Sequence, residues 1–194
     1  MNRLFIDTSC KYLCVGIAID NNIIYKYQKE SIKKQSELTI PTLLEALKEC
    51  NMTLNDINEV NVTIGPGSFT GIRIGMCIAK VLASLNNITL KAISSLNAYA
   101  SHGKKIVILD AKANRVYYGI YNNNVKVIDE GVMEIDGFKE MVKDYQDYDI
   151  VLDSYLLGRE CEEIDVIENM NRISLNTLPV ENVDALVPIY LKDR

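Results

Sequence analysis

Two short stretches of this chain combine residue types that handle anions. Asp7-Thr8-Ser9 closes an apolar run, and a carboxylate there, beside backbone N–H groups, could orient a magnesium-bound phosphate. The same carboxylate could instead cap its own turn by bonding the backbone. Both readings stand for Asp7. Asp110, followed by Ala111-Lys112, holds the equivalent place in the second half, and there the capping role is preferred. The second stretch is G-P-G-S-F-T-G-I-R-I-G, Gly65 to Gly75. It is no dinucleotide fingerprint, because Thr70 stands where that pattern needs its third glycine. It is no Walker A loop either, because Gly71 is followed by Ile72-Arg73 rather than by Lys-Ser/Thr. Gly65, Gly67 and Gly71 permit a turn that most side chains would obstruct. Ser68 and Thr70 can cap the helix that begins there, and its N–H groups favour a phosphate or carboxylate. An anion site and a plain structural turn are equally compatible with the pattern. No lysine follows to hold a γ-phosphate, so hydrolysis is poorly supported.

Other chemistry is thin. The one histidine, His102, lies in Ser-His-Gly and reads as an exposed loop residue. A histidine-built metal site needs several ligands in register, and a Ser–His–Asp arrangement has only this histidine to draw on. No G-x-S-x-G elbow occurs, so a protease is disfavoured. Five cysteines (10, 14, 50, 77 and 161) include no C-x-x-C pair and read as reduced, mostly core thiols of a cytoplasmic protein. The net charge is −5 and the basic clusters are short, Lys33-Lys34 and Lys104-Lys105. That is no footprint for gripping nucleic acid unaided, so any RNA is expected to be held mostly by another subunit. With 48% hydrophobic and 24% charged residues among 194, the chain is an ordinary globular one. No apolar run approaches the roughly 18 residues that cross a bilayer.

The elements that must position these residues repeat. Arg3–Asp7, Tyr12–Asp20 and Ile23–Lys29 read as strands, with an Asn21-Asn22 turn. Lys105–Glu130 repeats the order: Val107-Ile108-Leu109-Asp110 matches Leu4-Phe5-Ile6-Asp7, and Gly119 matches Gly16. Asp7 and Asp110, like Gly16 and Gly119, stand 103 residues apart. Each meander then gives way to a helix and a strand. In the first half Ile40, Leu43, Leu44 and Leu47 mark one helical face, with Pro41 starting or bending the helix. A strand over Glu59–Ile64, a helix over Thr70–Leu85, a strand over Ile88–Ile93 and a short helix over Ser95–Ser101 follow. In the second half Gly137–Tyr145 reads as a helix and Asp149–Asp153 as a strand, while the pattern from Leu156 onward is weak. The fold class is therefore α/β with mixed sheets, duplicated as β-β-β-α-β, with lobes over 1–103 and 104–194 meeting across a cleft.

The helix after the glycine loop is apolar all round and needs cover on more than its sheet-facing side. Gly75, Ala79 and Ala83 form a stripe of small residues at i, i+4, i+8, whereas Ile74, Ile78, Val81, Leu82 and Leu85 are large. Large residues suit a sheet; the small stripe suits a neighbouring helix, either the chain's own or a partner's.

At these residues the sequence resembles the TsaB (YeaZ) family of bacterial partner subunits in tRNA threonylcarbamoyladenosine synthesis. The matching pieces are Ile6-Asp7-Thr8-Ser9, Ser36-Glu37-Leu38 with Pro41, and the whole glycine segment to Gly75. Ala79-Lys80, Ser94-Ser95-Leu96, Asp110-Ala111-Lys112 before Val116-Tyr117, and Pro188-Ile189-Tyr190-Leu191 complete them. The resemblance implies an actin-like, sugar-kinase and Hsp70-like ATPase fold of two RNase H-like lobes, the second reduced. It implies a non-catalytic scaffold that forms a heterodimer with the paralogue TsaD, joined by the ATPase TsaE. Together they transfer threonylcarbamoyl to N6 of the adenosine beside the anticodon. The dimer surface would be built on the first two helices, here Ser36–Cys50 and Thr70–Leu85. Its residues would be Glu37, Leu38, Leu44, Ile72, Arg73, Gly75, Met76, Ala79, Lys80 and Ala83. Asp7, Thr8, Gly65, Gly67, Ser68, Thr70 and Gly71 would be vestigial phosphate loops. No cofactor is expected to be held firmly by this chain; a nucleotide or magnesium ion at the subunit joint, and a homodimer of the isolated chain, are left open. tRNA would be met only through the complex. Gln35 stands where relatives often have histidine before Ser-Glu, and it can hydrogen-bond but not titrate near neutrality. The competing reading is a small-metabolite kinase or ATPase that uses Asp7 and the glycine loop.

Overall fold

The computed structural model describes residues 1–160 and 163–191. The first sheet opens with β1 (Asn2–Asp7), β2 (Tyr12–Ile19) and β3 (Asn22–Glu30). After α1 (Gln35–Glu49) come β4 (Glu59–Thr63), α2 (Phe69–Asn86), β5 (Thr89–Ile93) and the one-turn α3 (Ser95–Ala98). The second sheet is built from β6 (Lys104–Lys112), β7 (Arg115–Asn122), β8 (Val125–Glu134) and β9 (Asp149–Leu152). Between β8 and β9 lie α4 (Ile135–Met141) and a 3-10 turn over Val142–Tyr145; α5 (Val166–Ser174) follows.

The strand orders are β3-β2-β1-β4-β5 and β8-β7-β6-β9. In both sheets the first three strands run antiparallel and the crossover strand is parallel to the first, β4 beside β1 and β9 beside β6. The duplicated order expected from the 103-residue offset is thus the order observed. The pairing differs in one detail. Gly16 faces Phe5, whereas Gly119 faces Val107, the counterpart of Leu4. The one-residue slip is absorbed at an irregular register between Asp110 and Lys112.

The hairpins turn where short polar residues take positive φ. Asn123 (51°) and Asn124 (64°) join β7 to β8 as expected. Between β2 and β3 the turn is Asp20-Asn21, one residue earlier than the sequence suggested, because Asn22 already pairs with Ile19.

Contacts divide the chain into two compact units: Met1–Ser95 with Val166–Ile189, and Leu96–Asp165 with the residues from Tyr190 on. Each expected lobe, 1–103 and 104–194, holds one sheet, but the divide between the units falls after Ser95 and the chain returns to the first unit after Asp165. In that unit α1 and α2 cover one face of the sheet; Leu43, Leu47, Ile72 and Met76 share a buried cluster with Leu4, Ile6, Val15 and Val62. The other face carries α5. A Cβ on Gly16 would meet Ile167 of α5 at 2.3 Å, so glycine lets this helix lie directly on β2. Beneath α5, Glu59 is 1% exposed and its Oε2 lies 2.8 Å from Lys91 Nζ. Arg3 donates to Asn171 Oδ1 at 2.8 Å, and Lys91 Nζ donates to the Ser174 carbonyl at 2.7 Å. In the second unit, Phe138 of α4 is fully buried among Ile106, Ile108 and Val116; burying such a side chain contributes about 2–3 kcal/mol.

Cys10 and Cys14 are core thiols, while Cys50 is half-buried and Cys77 is exposed on α2. Cys161 lies outside the described residues. His102 is exposed before β6, as expected. No helix among the described residues is long and apolar enough to cross a membrane.

Candidate functional site

Asp7 ends β1 fully buried. Its Oδ1 accepts the Ser9 N–H at 2.9 Å, the Ser9 hydroxyl at 2.6 Å and the Thr63 hydroxyl at 2.5 Å. The carboxylate therefore ties its own turn to β4. This is the capping geometry, and it is enclosed by protein. Asp110 repeats it: its Oδ1 accepts the Lys112 N–H at 2.8 Å, and Lys112 Nζ lies 2.5 Å from Oδ2. The hydrogen bond to Asp110 holds the Lys112 ammonium above the ordinary lysine range. Asp110 differs in being 24% exposed.

The glycine loop packs on the Asp7 turn. Ser68 N donates to the Ser9 carbonyl at 2.7 Å, and Ser68 Oγ caps α2 by accepting the Gly71 N–H at 3.1 Å. The Thr8 hydroxyl donates to the Gly71 carbonyl at 2.7 Å and accepts the Gly75 N–H at 3.2 Å. Such an approach needs glycine: a Cβ on Gly71 would lie 1.9 Å from the Thr8 carbonyl oxygen. Gly65 is buried, its N–H donating to Ser95 Oγ at 3.0 Å, and Gly67 is half-buried. Of the seven residues grouped as phosphate loops, only Ser68 and Thr70 are exposed. The structure brings all seven together as the joint between a strand end and a helix start. Among the described residues no group of three or more His, Cys, Asp or Glu is placed to hold a metal ion.

Helix α2 turns its small stripe inward, opposite to the arrangement drawn from side-chain size. Gly75 and Ala79 are buried and Ala83 is 7% exposed, as are Ile72 (0%) and Met76 (4%). These five were expected to face a partner; they face the chain's own core instead. At Gly75 the reason is local crowding: a Cβ there would lie 2.6 Å from the Thr8 hydroxyl and 3.4 Å from Val62. The large residues divide: Leu82 is buried, Ile74 and Ile78 are half-buried, and Val81 and Leu85 are 49% and 76% exposed. Phe69, also exposed, lies under Arg73, whose guanidinium carbon is 3.8 Å from the ring centroid.

The outer face of α2 is thus Arg73, Cys77, Val81 and Leu85, each four residues from the next. It borders an open groove of about 690 Å³ whose far wall is Asp184, Leu186 and Pro188. Lys80 spans it, donating to the carbonyls of Asp184 at 2.9 Å and Leu186 at 3.2 Å. On α1, which shares the core cluster with α2, Leu43 and Leu47 are buried as expected, but Ile40 and Leu44 are 53% and 55% exposed. Glu37 is exposed and Leu38 half-buried. Pro41 sits inside the helix rather than at its start. Gln35 uses its amide to donate to the Cys10 carbonyl at 2.9 Å. Of the ten predicted partner residues, Glu37, Leu38, Leu44, Arg73 and Lys80 therefore reach the surface. Ile40, Phe69, Cys77, Val81 and Leu85, outside those ten, also reach the surface, and Arg73-Cys77-Val81-Leu85 runs at the same four-residue spacing as the small stripe.

Comparison with known proteins agrees with this architecture. Residues 22–149 match the family model described as "TsaD: tRNA N6-adenosine threonylcarbamoyltransferase". The tRNA threonylcarbamoyladenosine biosynthesis protein TsaB of Bacillus subtilis is 33% identical over 154 residues, 74% of this chain and 67% of its own length. The TsaB protein of Buchnera aphidicola subsp. Schizaphis graminum is 34% identical over 128 residues, 62% of this chain and 60% of its own. The match thus spans only about two thirds of these relatives. YeaZ from Pseudomonas aeruginosa superposes with a TM-score of 0.79 at 17% identity, over 98% of this chain and 99% of that one. A second Pseudomonas aeruginosa structure, described as similar to peptidase YEAZ, gives 0.83 at 19% over the same shares. At such identities the superpositions speak for the fold, and the duplicated two-sheet architecture is shared along the chain.

Proposed function

The chain belongs to the TsaB (YeaZ) family, and on that premise we propose that it acts in tRNA threonylcarbamoyladenosine synthesis as a non-catalytic subunit that pairs with TsaD. With TsaE, the pair transfers threonylcarbamoyl to N6 of the adenosine beside the anticodon. The names of the TsaB relatives and the match to the TsaD family support this role. The observation that carries the pairing is the outer face of α2. A soluble surface rarely leaves Val81 and Leu85 open beside an apolar groove unless something covers them. A paralogue of related fold, bringing equivalent helices, is the partner this reading assigns to them. Ile40 and Leu44 extend the surface onto α1.

The reading gives this chain no catalytic group and leaves any nucleotide or magnesium to the joint with its partner. The kinase alternative loses its chief support because Asp7 is enclosed, with Oδ1 already taken by three donors. Co-purification with TsaD tests the surface. Val81→Asp with Leu85→Asp should abolish pairing without unfolding the chain, since both side chains are exposed. Undiminished pairing rejects the face. Charging Gly75 or Ala79 is the wrong test, because those positions lie inside the core.

A further inference from the structure

The second unit holds a concavity of about 370 Å³ that the scaffold role leaves unused. Its floor is apolar: Val142, Ile150 and Leu157, packed on the buried cluster around Phe138. Tyr145 and Tyr148 form one wall and meet edge to face, with ring centroids 5.3 Å apart. The rim carries three cations, Lys139, Lys143 and Arg159, and among the described residues no carboxylate lines the cavity. Lys139 and Lys143 pair along the surface with Asp136 at 3.0 Å and Glu140 at 2.5 Å. Exposed pairs of this kind are weak, so an anion of higher charge displaces them.

An apolar floor, aromatic wall and cationic rim together fit a ligand with a flat apolar body and an anionic end. We propose that this cavity binds a nucleotide unit, its base against Tyr145 and Tyr148 and its phosphate among Lys139, Lys143 and Arg159. The volume suits one nucleotide. Stacking on tyrosine is tolerant of base identity and the rim would read phosphate, so the unit could come from RNA or from a free mononucleotide. RNA as the source rests on the reading above, in which the complex acts on tRNA. The cavity would then give the chain a direct contact of its own, weak in isolation because few phosphates are neutralised.

The test is a chemical-shift titration of the full chain with AMP, with a short anticodon stem-loop RNA and with inorganic phosphate. Shifts should centre on Val142, Tyr145, Tyr148 and Leu157 for AMP and RNA. Lys143→Glu with Arg159→Glu, both exposed, should weaken binding about tenfold or more and flatten its salt dependence. Tyr148→Leu, which keeps the floor apolar, should weaken it about tenfold. Response to RNA but not to AMP assigns the polymer; equal response assigns any nucleotide. Phosphate binding as tightly as AMP, or shifts elsewhere, or none at millimolar ligand, overturns the proposal. Each of those results leaves the subunit reading untouched, because that reading is scored by pairing and tRNA modification, which do not depend on this titration.

Discussion

The Thr8 hydroxyl bridges the Gly71 carbonyl and the Gly75 N–H, at 2.7 and 3.2 Å, so one side chain from the β1–β2 turn clasps the first turn of α2. Thr8 is 1% exposed. The glycines after Gly67 are therefore spacing devices between a strand end and a helix, and they set how deeply α2 sits on the sheet. That depth decides which side chains of α2 remain outside.

Gly71→Ala should be severely destabilising. The new methyl would lie 1.9 Å from the Thr8 carbonyl oxygen, a backbone atom with no freedom to swing away. Overpacking of this kind costs about 3 kcal/mol or more. Urea unfolding measures it, and a wild-type midpoint would show that the helix can slide.

The two aspartates should part company on mutation. Asp7→Ala strands the Thr63 hydroxyl and the Ser9 N–H in a buried site, at a cost of about 2–3 kcal/mol. Asp110→Ala removes a partly exposed carboxylate whose lysine partner is 82% exposed, so the loss should stay below about 1 kcal/mol. Equal losses would contradict the difference in burial.

Glu59→Gln should loosen α5. The substitution removes the anion facing Lys91 at 2.8 Å and leaves Lys91 and the nearly buried Arg3 without it. Breaking a buried pair from one side costs about 3–5 kcal/mol. Hydrogen exchange in α5 should accelerate ahead of that in β1; uniform exchange would count against a latch.

Asp56 offers a check on charge. Its carboxylate accepts the Thr53 N–H at 2.7 Å and the Thr53 hydroxyl at 2.8 Å, and these bonds, the backbone one foremost, hold its carboxyl below the usual range. The folded value lies under the unfolded one, so the contribution is present above about pH 4 and is lost as pH falls through the folded value. Carboxyl NMR titration should show a depressed midpoint that rises only partly in Thr53→Val, since the backbone bond remains. A full return to the ordinary value would mean the hydroxyl does all of it.

Much of the fold was legible because local signals agreed with it. The two meanders, the Asn123-Asn124 turn and the Ser68 cap each have a short-range cause that tertiary context did not override. Helix α5 was not legible, because Asn169, Asn171 and Ser174 occupy buried positions and break the apolar rhythm of Val166, Ile167 and Met170. Asn171 and Ser174 make sense only beside Arg3 and Lys91, more than 70 residues away in sequence, while Asn169 accepts from Arg172 on the same helix. The orientation of α2 failed for a similar reason. Side-chain size alone favours large residues against a sheet, but the Thr8 turn, a non-local neighbour, leaves no room for a side chain at Gly75. Ile40 and Leu44 were read with Leu43 and Leu47 as one stripe, yet the helix buries the pair at 43 and 47 and presents the other pair outward.

The central claim is that this chain is required by a catalytic partner while doing no chemistry itself, through the outer face of α2. The most direct test is threonylcarbamoylation of tRNA by TsaD and TsaE, with and without the chain. Modification should depend on the chain, survive Asp110→Ala, and vanish with Val81→Asp and Leu85→Asp in a protein that still melts normally. Full modification without the chain, or with that doubly charged face, would contradict the account.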